Sequence, residues 1–209
     1  MKTLVMTDRA YNKRQFFLPV FLLITVVFFS AKATAQMRQI HIEPSEDNDI
    51  NKMSFYSASS GYVGFSDWVG FTTDTGRTYI QKPITLINVD YNGYSVNLTF
   101  GFVINGLQSF NQDTVIVFGH YGLVPSILYS INGGNNFKLV YHSQYNNFQL
   151  RTGITDMIFP QQNSIGYAID ADSVLKTTDK GANWTVSLID EGSYFDYLEA
   201  ADNNNVFAI

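Results

Sequence analysis

Carboxylates are the side chains of this sequence best suited to bond-breaking chemistry. Asp67, Asp113, Asp156, Asp170 and Asp172 could supply the acid and base of glycoside hydrolysis, which needs two carboxyl groups flanking one bond. No spacing among them singles out a pair. Alternating oxygen donors at Asp47-Asn48-Asp49-Ile50-Asn51 and at Asp170-Ala171-Asp172 are of the kind calcium takes, but neither run has the glycine or closing glutamate of a complete loop. Both read as surface turns. His41, His120 and His142 stand alone, with no partner at metal-ligand spacing. The residue types therefore predict no catalytic, cofactor-binding or metal-ligating set, and no cofactor.

Aromatic residues are the other candidates, with 13 Tyr and 17 Phe in the chain. Tyr91, Tyr94, Tyr121, Tyr141, Tyr145 and Phe148 lie in segments suited to protein or glycan contacts, because aromatic faces stack and keep a polar handle. Most such residues are expected to be core between sheets.

The elements that hold these side chains are written as a repeat. Thr72-Thr73-Asp74-Thr75-Gly76-Arg77-Thr78-Tyr79, Ser130-Ile131-Asn132-Gly133-Gly134-Asn135-Asn136-Phe137 and Thr177-Thr178-Asp179-Lys180-Gly181-Ala182-Asn183-Trp184 share one plan. Each has a hydroxyl residue, Asp or Asn two positions on, Gly two further, and an aromatic three beyond that. The Asp or Asn side chain can accept main-chain N–H groups of its own turn, and the glycine supplies the positive φ that closes it. The flanks repeat as well: Phe55 and Gly61-Tyr62-Val63-Gly64 precede the first copy, Phe159 and Gly166-Tyr167-Ala168-Ile169 the third. Phe110 and Val115 to Gly119 precede the second. A further copy opens at Tyr197-Leu198-Glu199-Ala200 and runs to Asn205-Val206-Phe207-Ala208-Ile209. Short apolar runs such as Val115-Ile116-Val117-Phe118, Ser126-Ile127-Leu128-Tyr129 and Val174-Leu175-Lys176 read as strands. The spacing between motif Asp/Asn positions, 58 and then 47 residues, fits four short strands per unit.

With its flanks, the motif resembles the Asp-box, or BNR repeat, of β-propellers, over about Met53 to Ile209. Gly166-Tyr167-Ala168 followed by Leu175-Lys176-Thr177-Thr178-Asp179 and Asn183-Trp184 is most similar to the exported photosystem II stability/assembly factor-like repeat proteins of bacteria. Asn132 replaces Asp in the second box, and Tyr79 and Phe137 stand where Trp is commoner. The resemblance implies an all-β partial propeller, with blades at about 53–96, 97–150 and 151–192 and an incomplete one at 193–209. It implies that Thr72, Asp74, Gly76, Tyr79, Ser130, Asn132, Gly134, Phe137, Thr177, Asp179, Gly181 and Trp184 build turns rather than perform chemistry. The sialidases of the same repeat class use three arginines, a Tyr nucleophile with a Glu, and an Asp acid. Here only Arg38, Arg77 and Arg151 follow the leader, with Arg77 inside a box and Arg38 in the tail, so a non-catalytic scaffold for protein or glycan partners is expected. The alternative is the N-terminal piece of an Asp-box glycoside hydrolase whose catalytic residues lie outside this chain. Either way, three units and the start of a fourth lead us to expect further blades.

The N-terminus reads as an export signal followed by a tail or first strand at 36–52. Lys2, Arg9, Lys13 and Arg14 precede an apolar run from Phe16 to Ser30, and Ala33-Thr34-Ala35 is a small-x-small cleavage site ending at Ala35. That run is 15 residues long and contains Pro19, below the ~20 a spanning helix needs. A signal helix over 1–35, removed on export to the periplasm, cell surface or medium, is the expectation, with no membrane association afterwards. Removal takes away five Lys/Arg and one Asp, leaving 8 positive against 17 negative charges, about −9. Such a balance disfavours nucleic acid as a partner. The chain has no cysteine. Its stability must come from a β core alone, which a domain of this size can build.

Overall fold

The computed structural model describes residues 50, 52–65, 67–91, 94–98, 101–122, 124–143, 153–162 and 164–209. Ala35 and the rest of the expected leader lie outside them, as do Arg38, His41, Asp47, Tyr145, Phe148 and Arg151.

Among the described residues the chain is all-β apart from one 3-10 turn at Pro160–Gln162. Blade one is β1 (Lys52–Phe55), β2 (Gly61–Gly64), β3 (Trp68–Thr72) and β4 (Ile80–Pro83), paired in that order and antiparallel throughout. A two-stranded hairpin follows, β5 (Leu86–Tyr91) with β6 (Tyr94–Leu98). Blade two is β7 (Phe102–Ser109), β8 (Val115–Tyr121), β9 (Val124–Ser130) and β10 (Lys138–His142). Blade three is β11 (Ile154–Ile158), β12 (Gly166–Asp170), β13 (Ser173–Thr177) and β14 (Thr185–Ile189). A fourth unit holds β15 (Leu198–Ala200) and β16 (Val206–Ala208).

First strands of successive units lie side by side, which makes these sheets blades of a partial propeller. Ser54 of β1 and Ser109 of β7 exchange hydrogen bonds, with the Ser109 hydroxyl on the Ser54 carbonyl at 2.8 Å and the Ser109 N–H on the Ser54 hydroxyl at 2.9 Å. Asn105, at a bulge in β7, donates its side-chain amide to the Ile154 carbonyl of β11 at 2.9 Å. Asp156 of β11 accepts the N–H of Leu198 of β15 at 2.8 Å. Polar links of this kind replace the sheet ladder between strands of different sheets.

The second strands explain why short apolar runs suffice. Successive side chains of a strand point to opposite faces, and here both faces of a blade are covered by neighbours. Val115 and Val117 of β8 join Tyr62, Val69, Leu128 and Phe137 between blades one and two. Ile116 and Phe118 of the same strand join Phe159, Ala168, Leu175 and Trp184 between blades two and three. In β12, Tyr167 and Ile169 face Leu198 of the fourth unit while Ala168 faces blade two. Each such side chain contributes roughly 1.5–3 kcal/mol on burial.

Gly61 and Gly166 open the second strands of blades one and three for a steric reason. A Cβ at Gly61 would lie 2.5 Å from the Ser54 carbonyl oxygen and 2.8 Å from the Phe55 ring, and one at Gly166 would strike the Phe159 ring. Phe55, the last residue of β1, and Phe159, the residue after β11, occupy the space a side chain would need there. Blade two manages with Val115 there because the residue opposite it in the first strand is Ser109; Phe110, the next residue, is out of register with Phe55 and meets Phe159 edge-on at 4.8 Å between centroids.

Candidate functional site: the boxes and the two ends of the blades

In an antiparallel four-stranded meander, the first and third turns fall at one end of the sheet. The second turn and the exit of the fourth strand fall at the other. The three boxes lie in the third turns, and their internal geometry is nearly the same in each. The Thr72 hydroxyl donates to Asp74 Oδ1 at 2.9 Å and accepts the Gly76 N–H at 3.0 Å. The N–H groups of Arg77 and Thr78 converge on Asp74 Oδ1 at 2.9 Å each, and the Thr78 hydroxyl takes Oδ2 at 2.7 Å. In the third box Thr177, Asp179, Gly181 and Asn183 repeat this, with Asn183 giving its N–H at 2.9 Å and its side-chain amide at 2.7 Å to the carboxylate. Asn132 does the same as a neutral amide, accepting the Ser130 hydroxyl at 3.0 Å and the Asn136 N–H at 3.0 Å.

These bonds set the electrostatics. Main-chain and hydroxyl donation from Thr78 holds Asp74 down to about 2, with Thr72 and Arg77 adding to it. Asp179 feels a burial penalty that would raise it, yet the donors from Asn183, Thr177 and Ala182 keep it below the ordinary carboxylate range. A carboxylate satisfied by its own turn has little basicity left for proton transfer.

Two features of the box are absent from its residue pattern. The residue before the glycine also adopts positive φ: 65° at Thr75, 71° at Gly133 and 59° at Lys180. Its N–H then reaches the first turn of its own blade, where Ser59, Asp113 and Ser164 supply the carbonyls at 2.8, 2.9 and 2.9 Å. Only the glycine in the second copy hints at this. The box aromatics stand immediately before the fourth strands. Phe137 and Trp184 fill the interfaces with the preceding blade, the indole donating to the Gly181 carbonyl at 3.0 Å. Tyr79 packs on Phe65 and Trp68 of its own blade.

The opposite end carries the second turns and the connections between blades, and Tyr121 and Tyr141 lie there, at the ends of β8 and β10. Tyr91 and Tyr94 pair across the tip of the β5–β6 hairpin, which departs from that end. Tyr121 closes β8 and packs against the core between blades one and two. Tyr141 donates to Asp170 Oδ2 at 2.6 Å, bridging the end of blade two to the end of β12; Asp170 is 1% exposed. His120, whose ring nitrogen lies 2.6 Å from the Gly122 carbonyl, and His142 sit on the same end.

The other carboxylates are dispersed. Asp67 and Asp113 are exposed on turns at opposite ends of their blades, while Asp156 is engaged by the N–H groups of Met157 and Leu198. Asp172 accepts the Ser173 hydroxyl at 2.9 Å. Among the described residues no group of three or more His, Cys, Asp or Glu is placed to hold a metal ion.

No family model matches the chain, and no curated protein does. Solved structures do. The chain is similar to the crystal structure of the Niastella koreensis GH74 enzyme at 16% identity and TM-score 0.51, covering 76% of this chain and 25% of that one. It is also similar to YCF48 bound to D1 peptide (19% identity, TM-score 0.46, 73% and 44% covered) and to YCF48 from Cyanidioschyzon merolae (15%, 0.45, 78% and 48%). The chain thus spans a quarter to just under half the length of these structures, and its likeness to the GH74 enzyme is one of fold.

Proposed function

We propose that the chain is an exported, non-catalytic propeller scaffold that holds a protein partner on the end bearing the second turns and inter-blade connections. The observation that carries this reading is the β5–β6 hairpin. Blades three and four are joined by the short stretch after Ile189, whereas a whole hairpin stands between blades one and two. Its Leu86 and Val89 are buried in the core between blades one and two, but β5 and β6 pair only with each other and belong to neither blade sheet. Elaborations of connecting segments on a rigid scaffold are where binding function concentrates, and this one departs from the end that carries Tyr121 and Tyr141. The self-satisfied box carboxylates support a structural role for Asp74 and Asp179, and the leader ending at Ala35 supports export.

A photo-crosslinking residue at Tyr121, with a second at Thr78 on the box end as control, tests the proposal in the exported chain. The expected result is a defined protein adduct from position 121 alone, lost when Tyr91 and Tyr94 at the hairpin tip are both replaced by Ser, with the buried Leu86 and Val89 kept. Adducts from position 78 only would overturn the choice of end. Turnover of a sialoside or β-glucan by the chain would overturn the scaffold reading in favour of an Asp-box glycoside hydrolase.

A further inference from the structure

An asparagine followed by glycine can react with its own main chain, because glycine places no Cβ between its nitrogen and the neighbouring side-chain amide. Such pairs occur at 92–93, 105–106 and 132–133, and the last two share the tripeptide Ile-Asn-Gly. Their intrinsic reactivity is therefore matched. The pair at 92–93 lies outside the described residues; the other two are held in different ways.

Asn105-Gly106 is built into a sheet. Gly106 is buried opposite Phe118 of β8, and the Asn105 amide nitrogen, which would have to leave, donates to the Ile154 carbonyl of β11 at 2.9 Å. Freeing this pair means parting β7 from β8 and blade two from blade three.

Asn132-Gly133 lies on a turn, in the box that has Asn where the others have Asp74 and Asp179. Asn132 is exposed to water, so its restraint comes from hydrogen bonds rather than from burial. The Gly133 N–H donates to the Asp113 carbonyl at 2.9 Å, which shields its proton from base. The Asn132 side-chain oxygen accepts the Ser130 hydroxyl and the Asn136 N–H at 3.0 Å each, so the amide carbon is not free to swing onto the Gly133 nitrogen. Ser130 is tied in turn by the Gly134 N–H at 2.9 Å. Opening the turn breaks these bonds and leaves the strand ladder of the blade intact.

We infer that Asn132 is a site of spontaneous deamidation gated by local opening of the second box. In the opened turn the Gly133 nitrogen gives its proton to base and bonds to Asn132 Cγ. The bond from Cγ to the amide nitrogen breaks, and ammonia leaves with a proton supplied by water. The cyclic imide then takes up one water. Cleavage between Cγ and the Gly133 nitrogen gives an aspartyl residue in an unchanged main chain; cleavage between the main-chain carbonyl carbon and that nitrogen gives an isoaspartyl residue, with the chain rerouted through Cβ and Cγ.

The two products have opposite consequences. An aspartyl carboxylate meets the same donors as Asp74 and Asp179, and the box closes again. The isoaspartyl form lengthens the main chain by one carbon and puts a carboxylate in place of the carbonyl that accepts the Asn135 side chain. That box cannot close. With it goes the seating of Gly134 on blade one, where an added Cβ would lie 3.5 Å from Val69 and 3.7 Å from Lys82. The site is at the box end of the blade, and its chemistry is independent of the partner surface proposed above.

The test incubates the 209-residue chain in mildly alkaline buffer, folded and in urea. Mass spectrometry follows the peptides holding Asn105 and Asn132, with chromatographic separation of aspartyl and isoaspartyl forms. In urea the two sites should convert at similar rates. In the folded chain Asn132 should slow by about tenfold or more and Asn105 further still, since opening a turn costs less than parting blades. Ser130→Ala removes the hydroxyl that ties the turn together, and should raise the folded-chain ratio of Asn132 to Asn105 conversion by about fivefold or more. Equal rates at Asn132 in the folded and unfolded chain overturn the inference. So does equal slowing of the two sites, which assigns the gate to global unfolding, and so does a ratio that Ser130→Ala leaves unchanged.

Discussion

Tyr62 of blade one donates its phenolic hydrogen to the main-chain carbonyl of Gln112, in the first turn of blade two, at 2.5 Å. Tyr167 does the same to Asn203, at 3.0 Å. The phenol of Tyr62 is well buried, and burial, with a smaller contribution from Tyr56 and Asp113, pushes its ionisation far above the ordinary phenol range. It therefore stays a donor at any ordinary pH. Blade two has Ile116 at this position, and there the side chain packs under Gly181 of the next box. Either device locks the second strand of one blade to the turns of the next.

Replacing Tyr62 with Phe should remove the bond while keeping the ring in its cluster. A loss of about 1 kcal/mol is expected, typical of one neutral hydrogen bond. Urea denaturation checks it: the midpoint should fall with the slope unchanged. Tyr167→Phe should behave alike, and a midpoint unmoved by either substitution would show that the phenols bond equally well to water.

Acid should loosen the first and third boxes, whose acceptors are carboxylates, and spare the second, which uses Asn132. Asp74 in the folded chain is held near 2, below the 3.8 of an unconstrained aspartate, so its contribution to stability is fully present above the unfolded value and is lost as pH falls through the folded one. Asp179 and Asp202, the latter held down by the N–H groups of Asn204 and Asn205, act with the same sign. Thermal midpoints measured from pH 6 to pH 2 should decline most steeply below about pH 4, and Asp74→Asn should flatten that decline.

The second box offers the converse substitution. Asn132 accepts the Ser130 hydroxyl and the Asn136 N–H through a neutral amide oxygen, where the other copies use a carboxylate. Asn132→Asp should strengthen both bonds, since charge-assisted hydrogen bonds are roughly twice as strong as neutral ones. A gain of about 0.5–1 kcal/mol at pH 7 is expected, vanishing below about pH 3. No gain at pH 7 would mean that the neutral amide already satisfies this turn fully.

The Gly61 and Gly166 positions test the packing argument. Alanine at either one drives a methyl group into Phe55 or Phe159, and overpacking of this kind costs about 1–3 kcal/mol. Gly192 supplies the control: its φ is 92° and nothing lies within 4 Å of an added Cβ, so alanine there meets only backbone strain, about 1 kcal/mol. Chemical denaturation of the three variants should rank Gly192→Ala as the mildest.

Much of the fold is legible because the inner strands are buried on both faces, most plainly in blade two, which lies between two others. A strand covered on one face only would alternate, and Val115-Ile116-Val117-Phe118 does not; its odd and even members enter different interfaces. The boxes are legible because side-chain oxygens at fixed spacing must capture the turn's own N–H groups. The β5–β6 hairpin went unread although Asn92-Gly93 between Tyr91 and Tyr94 is a strong two-residue hairpin signal. It breaks the repeat, and reading by repeat passes over what occurs once. Positive φ at Thr75 and Lys180 left no trace in residue type, because the box hydrogen bonds hold that conformation without glycine. The gathering of Tyr121 and Tyr141 at one end depends on strand direction, which the sequence of either residue does not carry.

Asp179 separates architecture from chemistry most cleanly. Its carboxylate collects the Thr177 hydroxyl at 2.8 Å and both nitrogens of Asn183 at 2.9 and 2.7 Å, and these hold the turn in which Trp184 donates to Gly181. Asp179→Ala leaves those donors to water and frees the turn, a loss of about 1–3 kcal/mol for hydrogen bonds to a charged group. Asp179→Asn keeps an acceptor in place, as Asn132 does, and should lose less than half as much. Because Trp184 is edge-on to Phe159 of its own blade at 6.1 Å between centroids and buried against blade two, its emission reports the same event. A red shift is expected in the alanine variant before global unfolding and little change in the asparagine variant. Equal losses in both variants would mean that charge, rather than turn geometry, is what the box requires.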